Sequence, residues 1–219
     1  MTFTDEQLEI IGHNFIQNFD TDCCVVGGSI LSTLRGFYPK DIDICFYSRE
    51  DRDAAVKKAK SLNYRIYTAA PISIRMEAKE FSAETSIGKA NESKAGTVHR
   101  PRFIDLVTGL GNSMESILEK HGFSIMSIAV DKGGTVKIHE KFEEDLENGI
   151  IRVVGDHPNK FHPNRARVLM KYLAKGFTID NAEFAKYIPG KPDNITSTED
   201  VMDWLADFIV GYGMNNNKK

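Results

Sequence analysis

Cysteine is scarce in this chain, with three in 219 residues and no C-x-x-C spacing. A disulfide scaffold and a thiolate metal site are both excluded on that count. Cys23, Cys24 and Cys45 fall in segments that read as core strands, so they are expected to be reduced, buried small hydrophobes of an intracellular, cytoplasmic protein. Long apolar runs are missing as well. No stretch of about 18 apolar residues exists, which predicts no membrane span. The first ten residues, MTFTDEQLEI, are acidic rather than basic-then-apolar, unlike a secretory leader. An excess of one charge is also lacking, since 28 basic against 31 acidic residues leave a net −3. The molecule is therefore no generic polyanion binder, and any affinity for nucleic acid has to come from local patches. No internal repeat is present.

What is there suits a globular protein of one or two domains: 41% hydrophobic and 27% charged residues. Thr4-Asp5-Glu6-Gln7 reads as a capping box opening a helix with Leu8, Ile11, Phe15 and Ile16 on one face. A strand at Cys23–Val26, a short helix at Ile30–Arg35 and a strand at Asp41–Tyr47 follow. Next come a charged helix at Arg49–Leu62 and strands at Tyr64–Thr68 and Ile72–Glu77. Residues 82–97 are polar and small, which predicts a surface loop. A strand around Phe103–Val107, a helix at Ser113–Lys120, and strands around Ile125–Val130 and Val136–Ile138 complete the sheet-forming part. Beyond Ile151–Val154 the pattern turns helical, at 163–175, 181–187 and 197–210. The prediction is an α+β chain: a mixed sheet with helices over 1–155, a small helical domain over 156–213, and a disordered tail over 214–219.

The chemistry is concentrated in VVGGSILSTLRGFYPKDIDICF, residues 25–46. Side chains alternate along a strand, so Asp41 and Asp43 share a face while Ile42 and Ile44 face the core. Two rises along the strand set the aspartates roughly 6–7 Å apart. Like charges this close favour a bound divalent cation. The Gly27-Gly28-Ser29 turn and the helix start behind it offer backbone N–H groups to a phosphate. A phosphate cradle beside paired carboxylates implies metal-assisted phosphoryl or nucleotidyl transfer.

Asp105 sits inside an apolar strand, where a charge is costly unless paired or bound to metal. It reads either as a third metal-site carboxylate beside Asp41 and Asp43, or as a solvated edge residue. Residues 152–175 carry six basic side chains (Arg152, Lys160, Arg165, Arg167, Lys171, Lys175) against one acidic, Asp156. Arg167, Lys171 and Lys175 share a helix face opposite an apolar side, a face able to hold a triphosphate or an RNA strand, or simply to meet water. His99, Arg100 and Arg102 are a second basic group of the same ambiguity. His157 and His162 have no regular metal-ligand spacing.

Together these blocks resemble the polymerase-beta-like nucleotidyltransferase superfamily, and within it the bacterial-type CCA-adding enzymes and poly(A) polymerases. The double glycine followed by Asp41-x-Asp43 is the first block. Residues 123–131 (FSIMSIAVD) are similar to the family's D-F-T-I-N-A-L-A segment. Asp131 through Gly134 to Asp145-Leu146 resembles its D-x-x-G…D-L stretch, and residues 150–177 follow its I-I-R-x-V-G-D…R-F…R-x-x-R helix. The resemblance implies a palm-like sheet with a helical neck, NTP and RNA (tRNA first) as substrates, and two magnesium ions held by Asp41, Asp43 and Asp105. It implies phosphate binding by Gly27, Gly28 and Ser29, and nucleotide contacts by Arg152, Asn164, Arg167 and Lys171, with Arg167 reading the base. The chain departs from the pattern where the helix carries Pro163-Asn164 in place of Glu-Asp and Met170 in place of the second arginine. Its length is about half that usual for relatives that grip tRNA, which implies another acceptor, a protein partner or an oligomer. The alternatives are a toxin- or defence-type transferase modifying tRNA or a protein hydroxyl, and a degenerate non-catalytic nucleic-acid-binding module.

Overall fold

The computed structural model describes residues 1–79, 102–154, 163–180 and 197–216, with backbone alone at 163–164 and 211–216. The expected loop at 82–97, the expected helix at 181–187, and His99, Arg100, Asp156, His157, Lys160 and His162 lie outside these residues. The chain divides into two compact units, residues 1–120 with 126–139, and residues 121–125 with 140–219. Residues 140–154 group with the second unit, within which Ile150–Ile151 pairs with Thr178–Ile179.

The first unit starts with α1 (Asp5–Ile10), capped as its sequence predicts: Thr4 Oγ1 accepts from the Gln7 N–H at 3.2 Å, and Gln7 Oε1 accepts from the Thr4 N–H at 3.0 Å. The periodic run to Ile16 is nevertheless broken at Gly12, where φ is +85°, and resumes as α2 (His13–Ile16). Only glycine suits that position, since an added Cβ would stand 2.5 Å from Ile42 Cδ1 in a left-handed backbone. Ile42 is the core residue between the two aspartates, so Gly12 lets the helical layer close down on the back of that strand. Gly12→Ala is expected to cost about 2 kcal/mol through backbone strain and overpacking, read as a lower urea midpoint.

Seven strands form one sheet in the order β3-β4-β5-β2-β1-β6-β7. They are β1 (Cys23–Val26), β2 (Asp41–Phe46), β3 (Tyr64–Ala69), β4 (Ser73–Ala78), β5 (Phe103–Val107), β6 (Ile128–Asp131) and β7 (Val136–Ile138). Only β2 and β5 pair in parallel; the other neighbours are antiparallel. Connecting helices are α3 (Gly28–Leu34), α4 (Arg49–Ser61, capped by the Ser48 hydroxyl) and α5 (Met114–Leu118). The middle of the sheet is dry: Val25, Ile42, Ile44, Ile104, Leu106 and Val130 are at most 1% exposed. The three cysteines are free and buried in β1 and β2. Burial pushes the Cys23 and Cys24 thiols up to about 12, so they act as small apolar groups. Strand β3 is at one edge of the sheet and is exposed beyond Tyr64. The alternation expected to make one strand of 125–130 instead gives a 3-10 turn at Ser124–Met126 followed by β6. Ser124 belongs to the second unit, where its N–H donates to the Arg152 carbonyl.

The second unit contains α6 (Phe142–Asn148), β8 (Ile150–Ile151) parallel to β9 (Thr178–Ile179), α7 (Pro163–Leu173) and α8 (Thr198–Asn216). Ala166, Leu169, Tyr172 and Leu173 of α7 are buried, as are Val201 and Leu205 of α8. Helix α8 reaches Asn216, so residues 214–216, expected in a disordered tail, are helical. Among the described residues no helix is long and apolar enough to cross a membrane. His121 is packed with Nε2 buried and unpartnered, and burial, aided by the nearby Arg165 charge, lowers its pKa to about 4. An unfolded histidine titrates near 6.5, so the unfolded chain takes a proton that the folded chain rejects. Stability therefore falls as pH drops from about 6.5 toward 4. Between pH 7 and 5 the loss is about 2 kcal/mol, and His121→Leu should flatten it in urea titrations at the two pH values.

Candidate active site

Strand register brings the three aspartates together. Asp43 on β2 lies directly opposite Asp105 on β5, and Asp41 opposite Phe103. Asp41 and Asp43 are partly exposed while Ile42 and Ile44 are buried, as alternation predicts. Val26, the last residue of β1, pairs with Asp43, so the turn that follows leaves the sheet beside the acidic face. Gly27 makes that turn with φ +73° and caps α3. Its N–H donates to the Ile128 carbonyl at 3.1 Å, which anchors the turn to β6. Ser29, 3% exposed, keeps a buried hydroxyl with no partner at the start of α3. An unsatisfied buried hydroxyl is unusual and suits an oxygen-rich ligand.

A fourth side chain enters the cluster. Arg75 on β4 is opposite Asp105 in the β4–β5 ladder. Its Nε donates to both Asp105 oxygens, at 2.9 and 3.1 Å, and Nη2 donates to Asp105 Oδ2 at 2.5 Å and Asp41 Oδ2 at 3.1 Å. The hydrogen bonds it donates to Asp105, with the neighbouring carboxylate charges, hold the guanidinium firmly charged, above its ordinary pKa. This is a charge-assisted, two-pronged grip on a carboxylate whose side chain is 10% exposed. Hence Asp105 is paired, as a charge in an apolar strand must be.

The carboxylates suit a hard divalent cation by donor chemistry, and the guanidinium seated on two of them shows that the cluster attracts positive charge. Among the described residues, however, no three His, Cys, Asp or Glu side chains form a group that could hold a metal ion. The single three-carboxylate set expected from the sequence is thus divided. Asp105 faces Arg75, and Asp41 and Asp43 remain the candidate ligand pair.

Beside the cluster opens a cavity of about 370 Å³ lined by Asp43, Asp105, Arg75, Tyr67, Thr68, Ala70 and Ser73. Tyr67 is 57% exposed and packs edge-on against Phe103, over which the Arg75 and Arg102 guanidinium groups also sit. Arg102, grouped by sequence with the phosphate-steering candidates, pairs with buried Glu77, as does Arg65. The two arginines hold the Glu77 carboxyl below the usual range against the opposing effect of burial. Sequence reading missed Arg75 and Tyr67. The signal for Arg75 was its alternation with Glu77 in SIRMEA, which puts both on one face of a strand.

The nucleotide-contact candidates Arg152, Asn164, Arg167 and Lys171 all belong to the second unit. Arg152 is held by Asp145 at 2.8 Å, Glu144 at 3.1 Å and Asp180 at 3.8 Å. Helix α7 stops at Leu173 instead of running to 175, so Arg167 and Lys171 are exposed on it while exposed Lys175 lies in the turn that follows; both lysines sit over the Tyr172 ring. Asn164 lies in the first turn of α7.

The fold is that of nucleotidyltransferases. A solved structure described as a tRNA-processing enzyme superposes with a TM-score of 0.55 at 14% identity, over 85% of this chain and 47% of that one. The Thermotoga maritima CCA-adding enzyme complexed with tRNA gives 0.55 at 18% identity, over 83% and 40%. A tRNA nucleotidyltransferase complexed with a primer tRNA and an incoming ATP analog gives 0.51 at 15%, over 80% and 48%. The chain spans less than half the length of these proteins. No curated protein matches it. With its family model matched across residues 2–149, the chain belongs to the Gabija anti-defense 2 family.

Proposed function

We propose that the chain is a nucleotidyltransferase that joins the NMP part of an NTP to an acceptor hydroxyl and releases pyrophosphate, in the service of countering the Gabija defence. The observation carrying this reading is the register that sets Asp41, Asp43 and Asp105 on neighbouring strands beside the Gly27–Ser29 turn. Asp41 and Asp43 would hold magnesium, with Asp105 completing the acidic cluster. Magnesium, when bound in such sites, neutralises phosphate charge and makes a hydroxyl more acidic. The chain's own groups do the rest. Backbone N–H groups of Gly28 and Ser29, with the Ser29 hydroxyl, meet phosphate oxygens. Exposed Tyr67 offers a face to a base, and Arg75 adds a positive charge to the cavity wall. The acceptor hydroxyl gives up its proton to solvent water, its oxygen bonds to the α-phosphorus, and the α-phosphorus bond to the bridging oxygen breaks with its electron pair leaving on pyrophosphate.

The acceptor we favour is the 3′ end of an RNA, tRNA first, for whose phosphates the basic side chains Arg167 and Lys171 of α7 and Lys175 just beyond it are suited. The family's counter-defence description favours a second reading, in which the acceptor is a protein hydroxyl or tRNA of the defended cell. In either case the reaction takes place in the cytoplasm, where NTP is available. The test is incubation of the chain with each α-labelled NTP, magnesium and an extract of cells carrying the Gabija defence. Label in the RNA fraction supports an RNA acceptor, and label in protein supports the protein hydroxyl. No label in either, for any nucleotide, contradicts the function.

A further inference from the structure

The geometry of Arg75 is more specific than a positive charge on the cavity wall requires. From the registers, β4 lies next to β5 and β5 next to β2, so Arg75, Asp105 and Asp43 stand in a row across three strands. All the carboxylate bonds of Arg75 come from Nε and Nη2, and among the described residues Nη1 donates to no acceptor. The side chain is 37% exposed and lines the cavity. Asp105, whose side chain is 10% exposed, has its charge met on the spot. Pulling its partner away would leave a buried carboxylate uncompensated, which is strongly disfavoured.

We infer that Arg75 is a resident cation of the active site: pinned by Asp105 and Asp41, it takes the place a second divalent ion would have, so that the site admits one divalent cation, on Asp41 and Asp43. This rests on the metal-dependent reading above and refines it. Asp105 is then the anchor of Arg75 rather than a metal ligand. The unused Nη1 is the donor available to a phosphate oxygen of the NTP, and a guanidinium suits that oxygen's charge and geometry. It also explains why three aspartates on adjacent strands do not converge on one point.

The test is direct counting of bound ions, with Mn²⁺ as probe and free Mn²⁺ read by electron paramagnetic resonance on the full chain without nucleotide. The expected result is one Mn²⁺ per chain. Asp105→Asn, which keeps the side-chain shape, should still bind one Mn²⁺ per chain, with a weaker affinity of the size that loss of an outer-shell partner causes, about 10–100-fold at most. Arg75→Ala should raise the count to two. Two ions in the unaltered chain, loss of binding in Asp105→Asn, or a count that stays at one in a folded Arg75→Ala would each overturn the inference while leaving the transferase reading intact. No bound Mn²⁺ at all would overturn the metal reading itself, and the inference with it. Should Arg75→Ala fail to fold, the unaltered chain and Asp105→Asn decide the matter.

Discussion

Asp41→Asn and Asp43→Asn are each expected to lower nucleotidyl transfer by at least ~10³-fold, because a site metal is worth several kcal/mol of transition-state stabilisation and each 1.36 kcal/mol is a factor of ten. Both variants should fold. The two aspartates are partly exposed, and the Arg75 contact of Asp41 joins two side chains 37% and 44% exposed. Surface pairs of that kind contribute about 0–1 kcal/mol, and removing one of two neighbouring like charges offsets part of even that. Activity should therefore collapse at nearly constant melting temperature. A variant that loses both together would point to a structural carboxylate instead.

Arg152→Ala is expected to behave in the opposite way. Asp145 is 0% exposed and its Oδ1 accepts from Arg152 Nε at 2.8 Å, while Oδ2 is buried without a partner. Its charge is thus met by Arg152, which Asp145 in turn holds above its ordinary pKa. Truncating the arginine leaves that carboxylate buried and uncompensated, at a cost of about 3 kcal/mol. The loss should appear as a lower urea midpoint for the second unit, with and without NTP present. Conversely, a weaker KM for NTP at unchanged stability would restore the nucleotide contact inferred from family resemblance.

These two arginines mark where the sequence was readable and where it was not. Local signals carried far: the Thr4 capping box, the alternation of Asp41 and Asp43 with Ile42 and Ile44, and the strand at 136–138 all stand where pattern puts them. Asp105 was legible too, since a lone charge in an apolar strand demands a partner. The identity of the partner was not. Arg75 reaches Asp105 through β4–β5 pairing, and register between strands separated by more than twenty residues is set by tertiary packing that no local period encodes. The helix break at Gly12 was not foreseen for a related reason. Its neighbours keep a helical period on both sides, and the demand for a left-handed residue comes from Ile42, thirty positions away. Arg152 illustrates a third limit. A basic residue in a block resembling a nucleotide-binding motif looks the same in sequence whether it meets a phosphate or, as here, Asp145 and Glu144.

The account rests on the acidic cluster of β2 and β5 acting on an NTP, and pyrophosphate release reports that most directly. With magnesium, NTP and extract of cells carrying the Gabija defence, the unaltered chain is expected to release one pyrophosphate for each NMP incorporated, and Asp43→Asn none above background. Equal pyrophosphate release by a folded Asp43→Asn chain, or none from the unaltered chain with any of the four nucleotides, would contradict it.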